Sequence, residues 1–496
     1  MNPPLSSTEP GRSPVLSENA GSSATRLSTP STDMDFDPAQ DDAVAPPEAL
    51  FSDAAIRNRV IEFLGGRDLG SATGIYIGLC DCPNPAKIQR RPLDELDRLL
   101  ACGEGIARSL YDTHSILVHL DVEYVNHDAP AAAFTDPWRA FRLQEPLIAK
   151  IEELLSGWGI RPLHLLTGQG HHFVWRFPRG SDLERRLRHL MPCAGREGGE
   201  QVFANLALVM EYFAHRIKAL AEPESAIPVE ITASHVVPGE SGHRELISID
   251  ISEYGDPLAS RTIRIPFTRY RKPWSSGIAK HHGVEEEIGP CVCIPLHEMD
   301  VMQALTLRQD PRDVLSLARR CCMLIPEEGE GTGHLLDEYI GSTLRAFHQR
   351  FYETEHDPPE TWPHTYARTP LHDLPGCARH VLTFPNDLLL KPSGMRLITR
   401  CLIERGWHPR HIAGLVRSKF EDPVFQWGDS WCGYSPSMRA DFYVRLYSGL
   451  LATGLDRLAD FHCEAARSQG FCWPAEPPCE LHPFLPDPVK TVFSIP

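Results

Sequence analysis

Apolar positions along the chain change period several times, and each change marks an element. From Ala49, in ALFSDAAIRNRVIEFLG, residues Ile56, Val60, Ile61 and Leu64 recur at helical spacing. GIYIGLC (74–80) and SILVHLDVEYV (115–125) are short, dense apolar runs that predict strands. EPLIAKIEELLSGWG returns to a helical period and predicts a helix closed by Gly157 or Gly159. PLHLLTGQGHHFVWRF predicts strand, glycine turn, strand, and FANLALVMEYFAHRIKALA a long helix. RELISIDI and TIRIPF predict two further strands. Residues 302–352 are helical in pattern, and 374–496 carry helical patterns with hardly any strand signal.

Together these predict an α/β (α+β) domain with a mixed sheet over 49–305, followed by a mainly α-helical domain over 374–496. Between them lie a helical connector (306–352) and a linker (353–373) dense in proline and acid. Residues 1–48, rich in Ser, Pro, Thr and Asp, predict a disordered tail, because such a segment buries too little surface to offset its ordering entropy. The N-terminus lacks the basic start and apolar core of a secretory signal, and no apolar run is long enough to cross a bilayer. The expected location is cytoplasmic. There the fourteen cysteines are expected to be thiols or metal ligands rather than disulfides. A net charge of −17 argues against non-specific coating of nucleic acid but leaves room for local basic surfaces.

Three stretches carry candidate chemistry. Asp121 and Glu123 end the first long strand at i and i+2, so both carboxylates share one face. Like charges there call for a cation, as at an oxygen-ligand Mg²⁺ or Mn²⁺ site. A strand end simply leaving the core would also carry such acids. In LLTGQGHHFVWRF, Thr167, Gly168 and Gly170 form a turn that lets a ligand approach the backbone, and His172 opens the next strand. In ISIDISEYGDPLASRTIRIPFTRYRKPW, Asp250 ends another strand, and Arg264, Thr268 and Lys272 follow among basic residues suited to phosphate.

In this order and spacing the three stretches resemble the catalytic motifs of the archaeo-eukaryotic primase superfamily, over roughly residues 60–300. The resemblance implies that Asp121, Glu123 and Asp250 hold divalent ions for nucleotidyl transfer. It also implies that Thr167, Gly168, His172, Arg264, Thr268 and Lys272 hold the incoming nucleotide. Asp256 matches a further family acid that orients the loop. Tyr270 stands where the family carries a histidine.

The C-terminal cysteines Cys463, Cys472 and Cys479 are too widely spaced for a zinc ribbon. With Cys377, in LPGCARHVL, they would number the four thiolates of a cubane cluster. Buried free thiols, a Cys₃His Zn²⁺ site using His482, and Cys432 in place of Cys463 are the other readings. The region resembles the iron–sulfur C-terminal domain of the primase large subunit, which implies a [4Fe–4S] cluster on Cys377, Cys463, Cys472 and Cys479. Between residues 395 and 420 six basic residues face one acid, so Arg396, Arg400 and Arg410 are expected to contact template phosphates. The two resemblances imply a single-chain primase, or primase-polymerase, making primers de novo on single-stranded DNA from nucleoside triphosphates; a helicase or other replication protein is a candidate partner on which the sequence itself is silent. The competing expectation is an extension-only or non-catalytic DNA-binding protein of replication or repair.

Overall fold

A computed structural model describes residues 50–79, 90–191, 198–232, 237–270, 292–296, 299–384, 391–422 and 435–472. The expected tail, Lys272, Cys432 and Cys479 lie outside the described residues. Asp53 caps helix α1 (Ala54–Phe63) by accepting from Ala55 N, and buries Ile56, Val60, Ile61 and Phe63. Strands β1 (Tyr76–Leu79) and β2 (Arg91–Pro92), helix α2 (Leu96–Ala101) and strand β3 (Ile106–Ser109) complete this N-terminal part.

The long strand β4 (Ser115–Asn126) leads into short helix α3 (Ala132–Thr135) and into α4 (Pro137–Trp158). Asp136 caps α4, and Gly159 closes it at φ 77°, a left-handed conformation that glycine adopts without steric cost. Strands β5 (Leu163–Leu166) and β6 (Gly170–Pro178) follow, then helices α5 (Asp182–Arg188) and α6 (Gly198–Ala221). Strands β7 (Val229–Ile231), β8 (Glu245–Asp250), β9 (Thr262–Arg264) and β10 (Ile294–Pro295) end the sheet-forming region. The remaining chain is helical among the described residues: α7 (Val301–Leu307), α8 (Pro311–Arg320), α9 (Gly329–Ile340), α10 (Thr343–Glu353), α11 (Gly376–Thr383), α12 (Pro392–Glu404), α13 (Pro409–Phe420), α14 (Pro436–Ala452) and α15 (Cys463–Ser468).

Among the described residues the strands form two sheets, ordered β10-β5-β6-β4-β8-β7 and β2-β1-β3-β9. Only β7 runs parallel to its neighbour β8; the other ladders are antiparallel. The architecture is therefore mixed α/β with a mixed sheet. TIRIPF does not extend the large sheet. Its strand β9 pairs with β3, so Arg264 belongs to the smaller sheet.

Strand β4 lies at the centre of the large sheet and explains where chemistry can occur. From Ser115 to Leu120 every residue is buried, as expected for a strand covered on both faces. From Asp121 the pattern alternates, with Asp121, Glu123 and Val125 half-buried and Val122 and Tyr124 buried. One face of the sheet is thus only partly covered from Asp121 onwards. The cover ends with the 3₁₀ turn Ser252–Gly255, which follows β8 and lies beside His119. Tyr254 Oη accepts from His119 N (3.1 Å) and donates to His119 O (2.9 Å), so its hydroxyl continues the ladder where β8 stops.

The helical C-terminal stretch and the sheet share one hydrophobic core. Helix α14 packs beneath the turn after β8, where a Cβ on Gly255 would meet the Phe442 ring at 2.8 Å. Fully buried Asp256 pairs there with Arg261 and with Arg439 of α14. A second tie joins α6, α10 and α14: Glu211 accepts from Arg445 Nε (2.9 Å) and lies 3.1 Å from His348 Nε2. The proline-rich stretch before α11 is packed as well, with Tyr366 buried and its ring filling the space that Gly414 leaves on α13. Among the described residues, no helix is long and apolar enough to cross a membrane.

Candidate active site

Register sets the site. Asp121 stands directly opposite Asp250 on β8 and directly opposite His172 on β6. Paired residues of antiparallel strands point to the same face, so His172, Asp121 and Asp250 form one row across three strands. Glu123, two residues on, shares that face and stands between Ser248 and Gly170. The ladder passes so close at Gly170 that a Cβ there would lie 1.8 Å from Val122 O. Glycine is thus required for β6 to hold His172 in this register.

His172 Nε2 is 3.3 Å from Asp121 Oδ1, and the two side chains are 10% and 17% exposed. Gln169 Nε2 donates to Glu123 Oε2 (2.8 Å), and Ser252 N donates to Asp250 Oδ1 (2.9 Å). Each carboxylate is therefore oriented by a neighbour.

Two residues not singled out from the sequence complete the row. His119 shares the strand face of Asp121, and its ring meets that of His172 edge-on, with centroids 4.6 Å apart. Its Nδ1 is 3.0 Å from Glu253 Oε1. Burial disfavours a charge on His119, yet the Glu253 carboxyl and the field of Asp121 and Asp250 raise its pKa above the usual value. Burial, reinforced by Asp250 and Asp121, raises that of Glu253 against the pull of His119. The pair is a buried acid–imidazole bridge behind the open carboxylates. The signal for His119 was in the sequence: it precedes Asp121 by one strand period.

A second group adjoins the Glu123 end of β4. Tyr270 lies flat against Gly168, where a Cβ would come within 2.5 Å of its ring. The Arg264 guanidinium sits over the other part of this contact, 4.1 Å from the Tyr270 ring centroid. Arg264 Nη1 donates to Arg269 O (3.1 Å). Tyr270 thus joins β9 of the small sheet to the glycine turn of the large one.

No model of a known family, no curated protein and no solved structure matches this chain.

The remaining expected residues fall elsewhere. Thr268 is fully buried, and its hydroxyl is directed to Ile265 O (2.7 Å) and Ile106 O (3.3 Å), so it faces backbone rather than an open site. Thr167 is also buried; its N–H donates to Gly170 O (2.8 Å), and its carbonyl accepts from Arg308 Nη1 (2.6 Å), which shapes the turn.

The expected template-binding arginines are not a surface. Arg396 and Arg400 are 3% and 2% exposed, and both are neutralised from inside. Arg396 donates to Glu230 (3.1 Å) and Asp456 (2.9 Å); Arg400 donates to both oxygens of Asp456 (2.8 and 2.5 Å) and to Asp460 (2.8 Å). Arg410 is buried against Phe351 and Tyr352 and donates to Asp441 (2.5 Å). These guanidiniums tie α12 to β7 and to residues 456–460, and α13 to α14.

The donor sets differ in how they fit the expected cofactors. Asp121, Asp250 and Glu123 offer oxygen ligands on one open face, which suits a hard divalent ion. Among the described residues no three acid, imidazole or thiol groups converge closely enough to hold an ion as placed, so side-chain rotation would have to accompany any binding. Of the expected cluster ligands, Cys377 is buried beside Cys401, Cys463 is half-buried and Cys472 is exposed, while Cys479 lies outside the described residues.

Proposed function

We propose that this chain is a template-directed nucleotidyltransferase of the primase-polymerase kind, joining nucleoside triphosphates on single-stranded DNA. One observation supports the reading above all: Asp121 and Asp250 stand opposite each other in register, with Glu123 on the same open face and His172 completing the row. Divalent ions on these carboxylates would lower the pKa of an attacking 3′-hydroxyl and neutralise charge on the leaving pyrophosphate.

The chain's own residues then have distinct tasks. His172 orients the Asp121 carboxylate through its Nε2 contact. The His119–Glu253 bridge backs His172 through the edge-on ring contact. Arg264, beside the glycine turn, supplies a cation for the triphosphate next to Glu123, and Tyr270 sets its position. A carboxylate row without such a cation would repel the substrate it is meant to hold.

The test is synthesis of labelled oligomers on single-stranded DNA with Mg²⁺ or Mn²⁺ and no added primer, comparing the intact chain with Asp121→Asn. Products from the intact chain alone are expected. Products only when a primer is supplied would favour the extension-only reading. Absence of any incorporation by the intact chain, with single-stranded DNA still bound, would leave a DNA-binding protein and overturn the proposal.

A further inference from the structure

The opposite face of the large sheet carries a groove unconnected with the carboxylate row. His171 points away from His172, since neighbours on a strand alternate faces, and with His164 of β5 it forms the groove's floor. One wall is helix α4, which presents Glu145, Ala149, Glu152, Ser156 and Gly159 to solvent. Their spacing of four, three, four and three is the heptad period by which helices seat against one another. The stripe runs about 21 Å along the helix. Leu296 and the start of α7 form the other wall.

Two cavities of about 580 Å³ each meet along this stripe, sharing Glu152, His164 and Leu296. Ala149, Ser156 and Gly159 leave the stripe without bulk, as close approach of another backbone requires. Apolar surface is continuous beneath, from Phe141 and Ile148 to Leu155 and Ile160. Charge is one-sided: Glu145, Glu152, Asp300 and Glu328 line the groove against Arg161.

His171 is fully buried; its Nδ1 is 2.9 Å from His164 Nε2, while its Nε2 has no hydrogen-bond partner. His164 in turn lies 3.4 Å from Glu152 and stacks on Phe173 at 4.0 Å. Burial, with His164, His172 and Arg308 nearby, holds the His171 pKa well below the usual value.

We propose that this groove is a docking site for a basic amphipathic helix of a partner protein, seated along the stripe from Glu145 to Gly159. Its acidity favours a basic partner and excludes a nucleic acid or an acidic peptide. Lysines or arginines spaced by seven residues would meet Glu145 and Glu152, and apolar residues between them would enter the two cavities. The inference stands independently of the nucleotidyl-transfer reading.

The test uses the full chain and a fluorescein-labelled helical peptide of about 21 residues, with leucines at four-three spacing flanked by lysines. Anisotropy is expected to give micromolar binding, at least about tenfold tighter than a scrambled peptide of the same composition. The double variant Glu145→Lys, Glu152→Lys is expected to lose about tenfold for the lysine peptide and to gain affinity for its glutamate counterpart. Such a gain cannot come from misfolding. Ala149→Trp, which fills the stripe, is expected to weaken both. Equal binding of the scrambled peptide, or no response to charge reversal, would overturn the proposal. Sedimentation showing self-association of the intact chain that Ala149→Trp abolishes would also overturn it, assigning the groove to a second copy.

Discussion

Substituting Asp456 by Asn separates a buried structural role for the α12 arginines from a surface role in binding. Asp456 is fully buried as a side chain and accepts from Arg396 Nη2 and from Arg400 Nε and Nη2. The two guanidiniums hold its pKa far below the usual carboxylate range, against the effect of burial. Asparagine keeps one acceptor but turns an amide N–H₂ toward the Arg400 Nε–H, donor against donor, and removes the charge from three short bonds. Breaking a buried ion pair in this way costs about 3–5 kcal/mol, whereas an exposed pair is worth at most about 1 kcal/mol. The compact unit spans residues 45–496. With an unfolding entropy of about 2.1 cal/mol/K per residue, its melting point should fall by about 3–5 °C. Scanning calorimetry measures this directly. In parallel, Arg400→Met should leave the salt dependence of single-stranded DNA binding unchanged. A phosphate-contacting arginine would instead lower the slope by about one. A melting change under about 1 °C together with a lowered slope would refute the assignment.

Further outcomes follow from the same geometry. Gly170→Ala should destabilise the chain by about 2–3 kcal/mol or more, read from urea unfolding, because its Cβ would meet Val122 O. Gly168→Ala should shift the Tyr270 ring and raise KM for nucleoside triphosphate more than it lowers kcat, as expected if Arg264 is displaced. Acid sensitivity has a definite sign. Burial pushes the carboxyls of Glu211 and Glu245 up, but Arg445 and His348 in one case, and Arg139 and Tyr124 in the other, hold both at about 2, below the ordinary 4.5. Their stabilisation is complete above pH 4.5 and is lost as pH falls toward 2, on the order of 3 kcal/mol for the Glu211 shift. Glu211→Gln should lower the melting point at pH 7 and flatten its fall below pH 4.5.

The large sheet was readable from its strand periods because its central strands are long and apolar. The carboxylate row was readable because i and i+2 on a strand share a face, and Asp121, Glu123, Asp250 and His172 are the residues that register brings together. His119 was overlooked because a histidine inside SILVHLDVEYV passes for a core residue until Glu253 is seen beside it. Spacing alone misjudged Thr268, since position after Arg264 says nothing of which way a hydroxyl points. The charge count over α12 and α13 misjudged Arg396, Arg400 and Arg410 for a different reason. Arg400, for example, finds its acidic partners 56 and 60 residues downstream, which no local window contains. The placement of Arg264 on a separate sheet was hidden likewise, because pairing between β3 and β9 is long-range.

The claim on which the account rests is that Asp121 and Asp250 act together on divalent cations, and Mn²⁺ titration followed by electron paramagnetic resonance tests it most directly. The intact chain should bind Mn²⁺, and Asp121→Asn and Asp250→Asn should each abolish that binding, since the two carboxylates face each other across one ladder. Mn²⁺ bound equally by the intact chain and both variants, or no Mn²⁺ bound by the intact chain, would contradict it.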